Sequence, residues 1–272
     1  MKYEELKGLN DTKFKRAIGV KREIFEFQVA ILEEAQSKKH IHGGRPPKLE
    51  IPDILLLMYG YLRDYNTFLK LGMYFGIDES NAYRWIVWSE SVLKKYMTED
   101  FDISKLDKNK EYIVDVMECA VERPKVQEIQ REYYSGKKKK HTMKIQLIIE
   151  EDTKKIVYVA FDKGSVHDFT LFKDSTKIID KEIPMLADSG YQGLDKIMSK
   201  CLTPKKKSKL HPLTDQDKDL NHLISSIRIA IEHVNSQLKI FRILSERYRN
   251  RKHTFISRAL FLCSLYNFCL DI

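Results

Sequence analysis

Hydrophobic periodicity changes once along this chain, near residue 105, and that change limits the possible folds more than any other feature. Before it, apolar residues recur at helical spacing. Phe14, Ile18, Ile24, Phe25, Val29, Ile31 and Leu32 fit one or two helices within residues 1–40. Gly43-Gly44-Arg45-Pro46-Pro47-Lys48 reads as a loop, and Pro52 and Asp53 open a strongly apolar helix reaching about Tyr61. A polar stretch from Thr98 to Lys110 follows, and beyond it the pattern turns β-rich, with strands expected over 111–118, 142–150 and 155–162. A helix is expected after Asp168, then a short strand into Asp188 and a helix after Gly193. A long helix near 214–240 and an apolar one near 255–270 close the series. This order suits a small all-α domain over 1–105 followed, over 106–272, by an α/β domain with a mixed sheet flanked by helices.

Composition narrows the class. No apolar run reaches the roughly 18 residues of a membrane span, and Met1-Lys2-Tyr3-Glu4-Glu5 lacks a secretory signal, so neither membrane insertion nor secretion is expected. Cys119, Cys201, Cys263 and Cys269 show no CxxC or zinc-ligand spacing and read as reduced thiols of a cytoplasmic protein. The net charge is +9, of which about +1 belongs to residues 1–100 and about +8 to the rest. That excess is the electrostatic footprint of a polyanion binder.

Within the first part, Thr67 to Ile86 reads as a helix capped by Thr67, a tight turn at Gly76, and a second helix started by Asp78 or Ser80. This is the helix-turn-helix pattern, in which Ser80, Asn81, Tyr83 and Arg84 would face a DNA major groove. A plain αα-hairpin is the alternative.

Three acids stand in contexts that need explanation. Asp115 lies inside Tyr112-Ile113-Val114-Asp115-Val116, Asp188 follows Met185-Leu186-Ala187, and Glu232 lies in the helical run Ile227 to His233. A carboxylate among aliphatic side chains is costly to bury without compensation. If the three converge they can hold Mg²⁺ or Mn²⁺, in a two-ion site of the kind that activates an attacking hydroxyl and stabilises a leaving oxygen. Taken singly, each also fits a salt-bridged surface carboxylate. Arg228, four residues before Glu232, and Lys239, seven after it, share its helical face. Arg228 either steadies the glutamate, contacts phosphate, or forms an ordinary intrahelical pair. Basic runs at Lys137-Lys138-Lys139-Lys140, Lys205-Lys206-Lys207 with Lys209, and Arg247-Arg249-Arg251-Lys252 suit a DNA track or solvated loops. Tyr133, Tyr134 and Tyr248 lie among them, available for base stacking or burial.

These segments together resemble the DDE transposases of bacterial insertion sequences, in the insertion sequence five group. The carrying runs are Val114 to Glu118, Tyr133 to Thr142, Gly164 to Phe169, Ala187 to Gly193, the Arg228/Glu232/Lys239 set, and Arg242 to Arg249. The chain departs from the usual pattern at Ser225, where a Tyr often stands, and at Met117, where a Thr is common. The resemblance implies an RNase H-like catalytic domain with Asp115, Asp188 and Glu232 as metal triad, and Arg228 and Lys239 near the DNA. His167 and Asp168 would support the site. It also implies a cytoplasmic, nucleoid-associated enzyme that binds terminal inverted repeats and target DNA as a homo-oligomer, cutting the ends and joining 3′-hydroxyls. The competing readings are a related endonuclease without strand transfer and a domesticated DNA-binding protein.

Overall fold

A computed structural model describes residues 2–40, 47–207 and 212–271. Residues 43–46 of the expected loop, and Lys209, lie outside the described residues. The chain divides into two compact units. One is drawn from Met1–Thr98, Lys239–Glu246 and Phe261–Ile272, the other from Glu99–Leu238 and Arg247–Leu260.

The first unit is helical among its described residues. It contains α1 (Tyr3–Lys7), α2 (Asp11–Ile18), α3 (Arg22–His40), α4 (Ile51–Leu62), α5 (Phe68–Phe75) and α6 (Glu79–Met97). Residues 1–40 thus form three helices where one or two were expected. Gly8 ends α1, Asn10 caps α2 by accepting from the Lys13 amide, and Gly19, at φ 100°, closes α2 in the left-handed region. Helix α4 is the core element, buried around nearly its whole circumference through Ile54, Leu55, Leu57, Met58 and Leu62. The buried Tyr59 hydroxyl is satisfied, donating to Gln28 Oε1 at 2.6 Å.

Helices α5 and α6 form the expected helix-turn-helix. Thr67 Oγ1 accepts from the Lys70 amide, Gly76 turns the chain at φ 66°, and Asp78 caps α6 by accepting from the Ser80 amide at 2.8 Å. The buried stripe Ala82, Ile86, Leu93 and Met97 fixes one face of α6 inward. Ser80, Asn81, Tyr83 and Arg84 are therefore left exposed.

The second unit is built on a mixed sheet of β1 (Tyr112–Ala120), β2 (Tyr134–Ser135), β3 (Lys140–Glu150), β4 (Ile156–Lys163), β5 (Met185–Leu186) and β6 (Cys201–Leu202). Strand β3 runs antiparallel to β1 on one side and to β2 and β4 on the other. Strands β5 and β6 extend the sheet from β1 in parallel. The flanking helices are α7 (Gln127–Tyr133), α8 (Asp168–Ser175) and α9 (Asp215–Lys239). The chain continues through α10 (Arg242–Ser245) and α11 (His253–Asp271). This is the expected mixed sheet flanked by helices. The helix expected after Gly193 is a single 3₁₀ turn, Leu194–Lys196. One face of the sheet is sealed by Tyr112, Val114, Ile148, Phe172, Met185, Ala187, Tyr191 and Leu194, a core that fixes α8 and the 188–194 segment against the strands.

Candidate active site

Register brings the first two acids together. Strands β1 and β5 pair in parallel at Tyr112–Met185 and Ile113–Leu186. Two residues further along stand Asp115, still within β1, and Asp188, just past the carboxyl end of β5, where sheets of this kind open into a crevice. Asp115 is backed by Leu147 of β3 on its other side. Asp188 caps a 3₁₀ turn, its Oδ1 accepting from the Gly190 amide at 2.6 Å. A Cβ at residue 190 would lie 2.8 Å from that same oxygen, so only glycine leaves the carboxylate undisturbed.

Helix α9 meets Asp115 through Arg228 and Asn235. Asn235 Nδ2 donates to Asp115 Oδ2 at 2.9 Å, while Arg228 Nη2 stands 3.7 Å from Oδ1. Despite the nearby guanidinium, the Asp115 carboxyl is pushed up to about 6. Burial is the largest cause, and the charges of Asp188 and Asp168 add to it; Arg228 and the Val116 amide pull the other way and lose. A cation at 3.7 Å, too long for a hydrogen bond, is a weak counterweight to desolvation.

Glu232 is exposed. It lies four residues after Arg228 and three before Asn235, hence on the same side of α9, but the helix presents those two residues to Asp115. Among the described residues, no three His, Cys, Asp or Glu side chains stand close enough to cage a metal ion. What the site does offer is two converging aspartates, with the buried Oδ1 of Asn235 lacking a partner. Like-charged, half-buried hard oxygens fit a divalent cation.

Around this centre, Asp168 Oδ1 accepts from the buried Lys144 ammonium at 2.6 Å, and Lys144 also donates to the Val166 carbonyl. His167 caps α8, accepting from the Phe169 amide at 3.3 Å. Tyr191 is fully buried, and its hydroxyl, without a partner, has its pKa held well above the ordinary range, first by burial and then by Asp115, Asp168 and Asp188. Asn235 and Tyr191 escape a reading of the sequence. Asn235 has a signal, its spacing of seven from Arg228.

The basic residues lie mostly in loops. Lys137, Lys138 and Lys139 form an exposed turn between β2 and β3, and Lys140, also exposed, begins β3. Lys205 pairs with Asp217 at 2.5 Å, and Arg247 with Glu122 at 3.3 Å. Lys252 sits 3.6 Å from the centre of the Tyr133 ring. Tyr134 is exposed, whereas Tyr248 is buried and accepts from Arg258 at 2.9 Å, so it is a core residue. Lys239 is exposed in the last turn of α9.

An aspartate within β1 and a second just past the carboxyl end of β5, with an arginine-bearing helix beside them, define a class of metal-assisted nucleases. Residues 114–267 match the family described as DDE superfamily endonuclease, and residues 47–99 match the helix-turn-helix of DDE superfamily endonuclease. The chain is 38% identical over 277 aligned positions, covering 100% of itself and 99% of the other chain, to a "Probable transposase for insertion sequence element IS702" from Microchaete diplosiphon. No solved structure matches. The chain belongs to the DDE endonuclease superfamily of insertion-sequence transposases. Among its described residues, no helix is long and apolar enough to cross a membrane.

Proposed function

We propose that this protein cuts the ends of an insertion sequence and joins the freed 3′-hydroxyls to target DNA, with Asp115, Asp188 and Glu232 as its acidic set. The observation that carries the reading is that Asp115 on β1 and Asp188, two residues past the parallel neighbour β5, lie close enough for the charge of Asp188 to act on the Asp115 carboxyl. Those carboxylates, joined by Glu232, would hold Mg²⁺ or Mn²⁺, two ions in all, which would polarise the scissile phosphate and acidify the attacking hydroxyl.

The protein's own groups do the remaining work. Arg228 keeps positive charge beside Asp115, and its Nε, buried and without a partner, suits a phosphate oxygen. Asp168 holds the Lys144 ammonium, and His167 caps the helix that carries Asp168. Lys137, Lys138, Lys139, Lys140 and Lys239 neutralise the DNA backbone. Ser80, Asn81, Tyr83 and Arg84 read the terminal inverted repeats from the exposed face of α6. The protein acts as a homo-oligomer on paired ends, at the nucleoid.

The test is cleavage and strand transfer on labelled DNA carrying the element's ends, with Mg²⁺ or Mn²⁺. Wild type is expected to release and join 3′ ends, and Asp188→Ala to lose at least about 100-fold of both, the scale of removing a group that stabilises the transition state. Cleavage without joining would leave an endonuclease. Specific binding without cleavage under either metal would overturn the reading.

A further inference from the structure

Asp115 is faced from one helix at both of its oxygens, by Arg228 at 3.7 Å from Oδ1 and by Asn235 hydrogen-bonded to Oδ2 at 2.9 Å. The two residues are seven apart, two helical turns, and so share a face of α9. Asn235 is 8% exposed, and only half of its amide is used. Nδ2 donates to Asp115, whereas Oδ1 is buried with no hydrogen-bond partner. Leaving a buried carbonyl oxygen unpaired is costly, so a site that keeps one calls for a donor or a cation at that point. Arg228 Nε, also buried and unpartnered, does not supply the bond.

An amide oxygen is a hard, neutral ligand. It adds a coordinating atom without adding a third negative charge to a place where Asp115 and Asp188 already repel. We propose that Asn235 is a functional member of the site: its Nδ2 orients Asp115, and its Oδ1 is an oxygen ligand for the divalent cation. This rests on the metal-assisted reading above. It makes Asn235, with Arg228, the part of α9 that reaches Asp115.

The experiment is titration of the full-length protein with Mn²⁺, followed by electron paramagnetic resonance of the free ion, in the absence of DNA. Asn235→Leu, which has similar bulk and no oxygen, is expected to weaken Mn²⁺ binding about 10-fold, the usual scale for a residue that supports a metal ligand. Asn235→Asp restores an oxygen and is expected to bind at least as tightly as wild type. Loss in Asn235→Leu with recovery in Asn235→Asp is the pattern that an oxygen ligand at this position gives. Thermal midpoints of the metal-free variants identify any that fail to fold, and the near-isosteric Asn235→Asp keeps the comparison decisive. Wild-type affinity in Asn235→Leu, or an Asn235→Asp no tighter than Asn235→Leu, overturns the inference alone. Absence of Mn²⁺ binding in wild type, or binding untouched by Asp188→Ala, brings down the metal-assisted reading and the inference with it.

Discussion

Asp115 carries its charge at a cost to the fold. An unfolded chain releases this proton near 3.8, whereas the folded protein holds it to about 6. Between those values the folded state binds the extra proton, so stability falls as pH rises through the window and stays lower above it. Two pH units correspond to on the order of 3 kcal/mol, an upper figure for a side chain that solvent partly reaches. Asp115→Asn should therefore stabilise the metal-free protein at pH 7 by about 1–3 kcal/mol, with the gain vanishing near pH 4. Thermal melts of both proteins across that range check it; a gain independent of pH would show that ionisation is not the cause. This tension is what made Asp115 and Asp188 legible in sequence, since acids among aliphatic residues are conspicuous. Asn235 is not conspicuous, because a neutral amide in a helix has many bland explanations. That α9 turns Arg228 and Asn235, rather than Glu232, toward Asp115 is a matter of some tens of degrees of helix rotation, which spacing cannot resolve.

Elements were readable in proportion to their length. β1, β3, β4, α4, α9 and α11 all fall close to their expected spans, because each carries several periods of its pattern. β2 and β6 are two residues long and too brief for any period. The three helices of residues 1–40 were hidden because Gly8, Asn10 and Gly19 break the chain without interrupting its apolar spacing. The helix-turn-helix was clear through its caps, and these should be measurable. Asp78→Ala removes the side chain that receives the Ser80 amide and is expected to cost about 1 kcal/mol. Gly76→Ala forces an L side chain to φ 66° and is expected to cost about 1–2 kcal/mol. Circular dichroism melts should show each lowering the midpoint, and their sum in the double variant. A neutral Gly76→Ala would contradict the left-handed turn.

For the molecule as a whole, charge is the legible property, and it predicts how DNA binding responds to salt. Four lysines lie together at Lys137–Lys140, exposed where a backbone could pass. If each neutralises a phosphate, replacing all four with Gln should reduce the slope of log affinity against log salt concentration by about 3 to 4. Fluorescence anisotropy at several salt concentrations measures it, and an unchanged slope would remove that turn from the DNA track. What no charge pattern or periodicity announces is the path of the chain between its two units. Lys239–Glu246 and Phe261–Ile272 belong with Met1–Thr98. Phe241 lies 6.5 Å from Tyr59, and Phe268 stacks on Phe27 at 5.2 Å. Translation proceeds from the N-terminus, and domains generally fold as they emerge. Here the helix-turn-helix unit begins before the sheet-bearing unit in sequence, yet it also takes in Phe261–Ile272, which follow Leu260, the last residue of the sheet-bearing unit. The sheet-bearing unit therefore has all of its residues synthesised before the unit that begins ahead of it does.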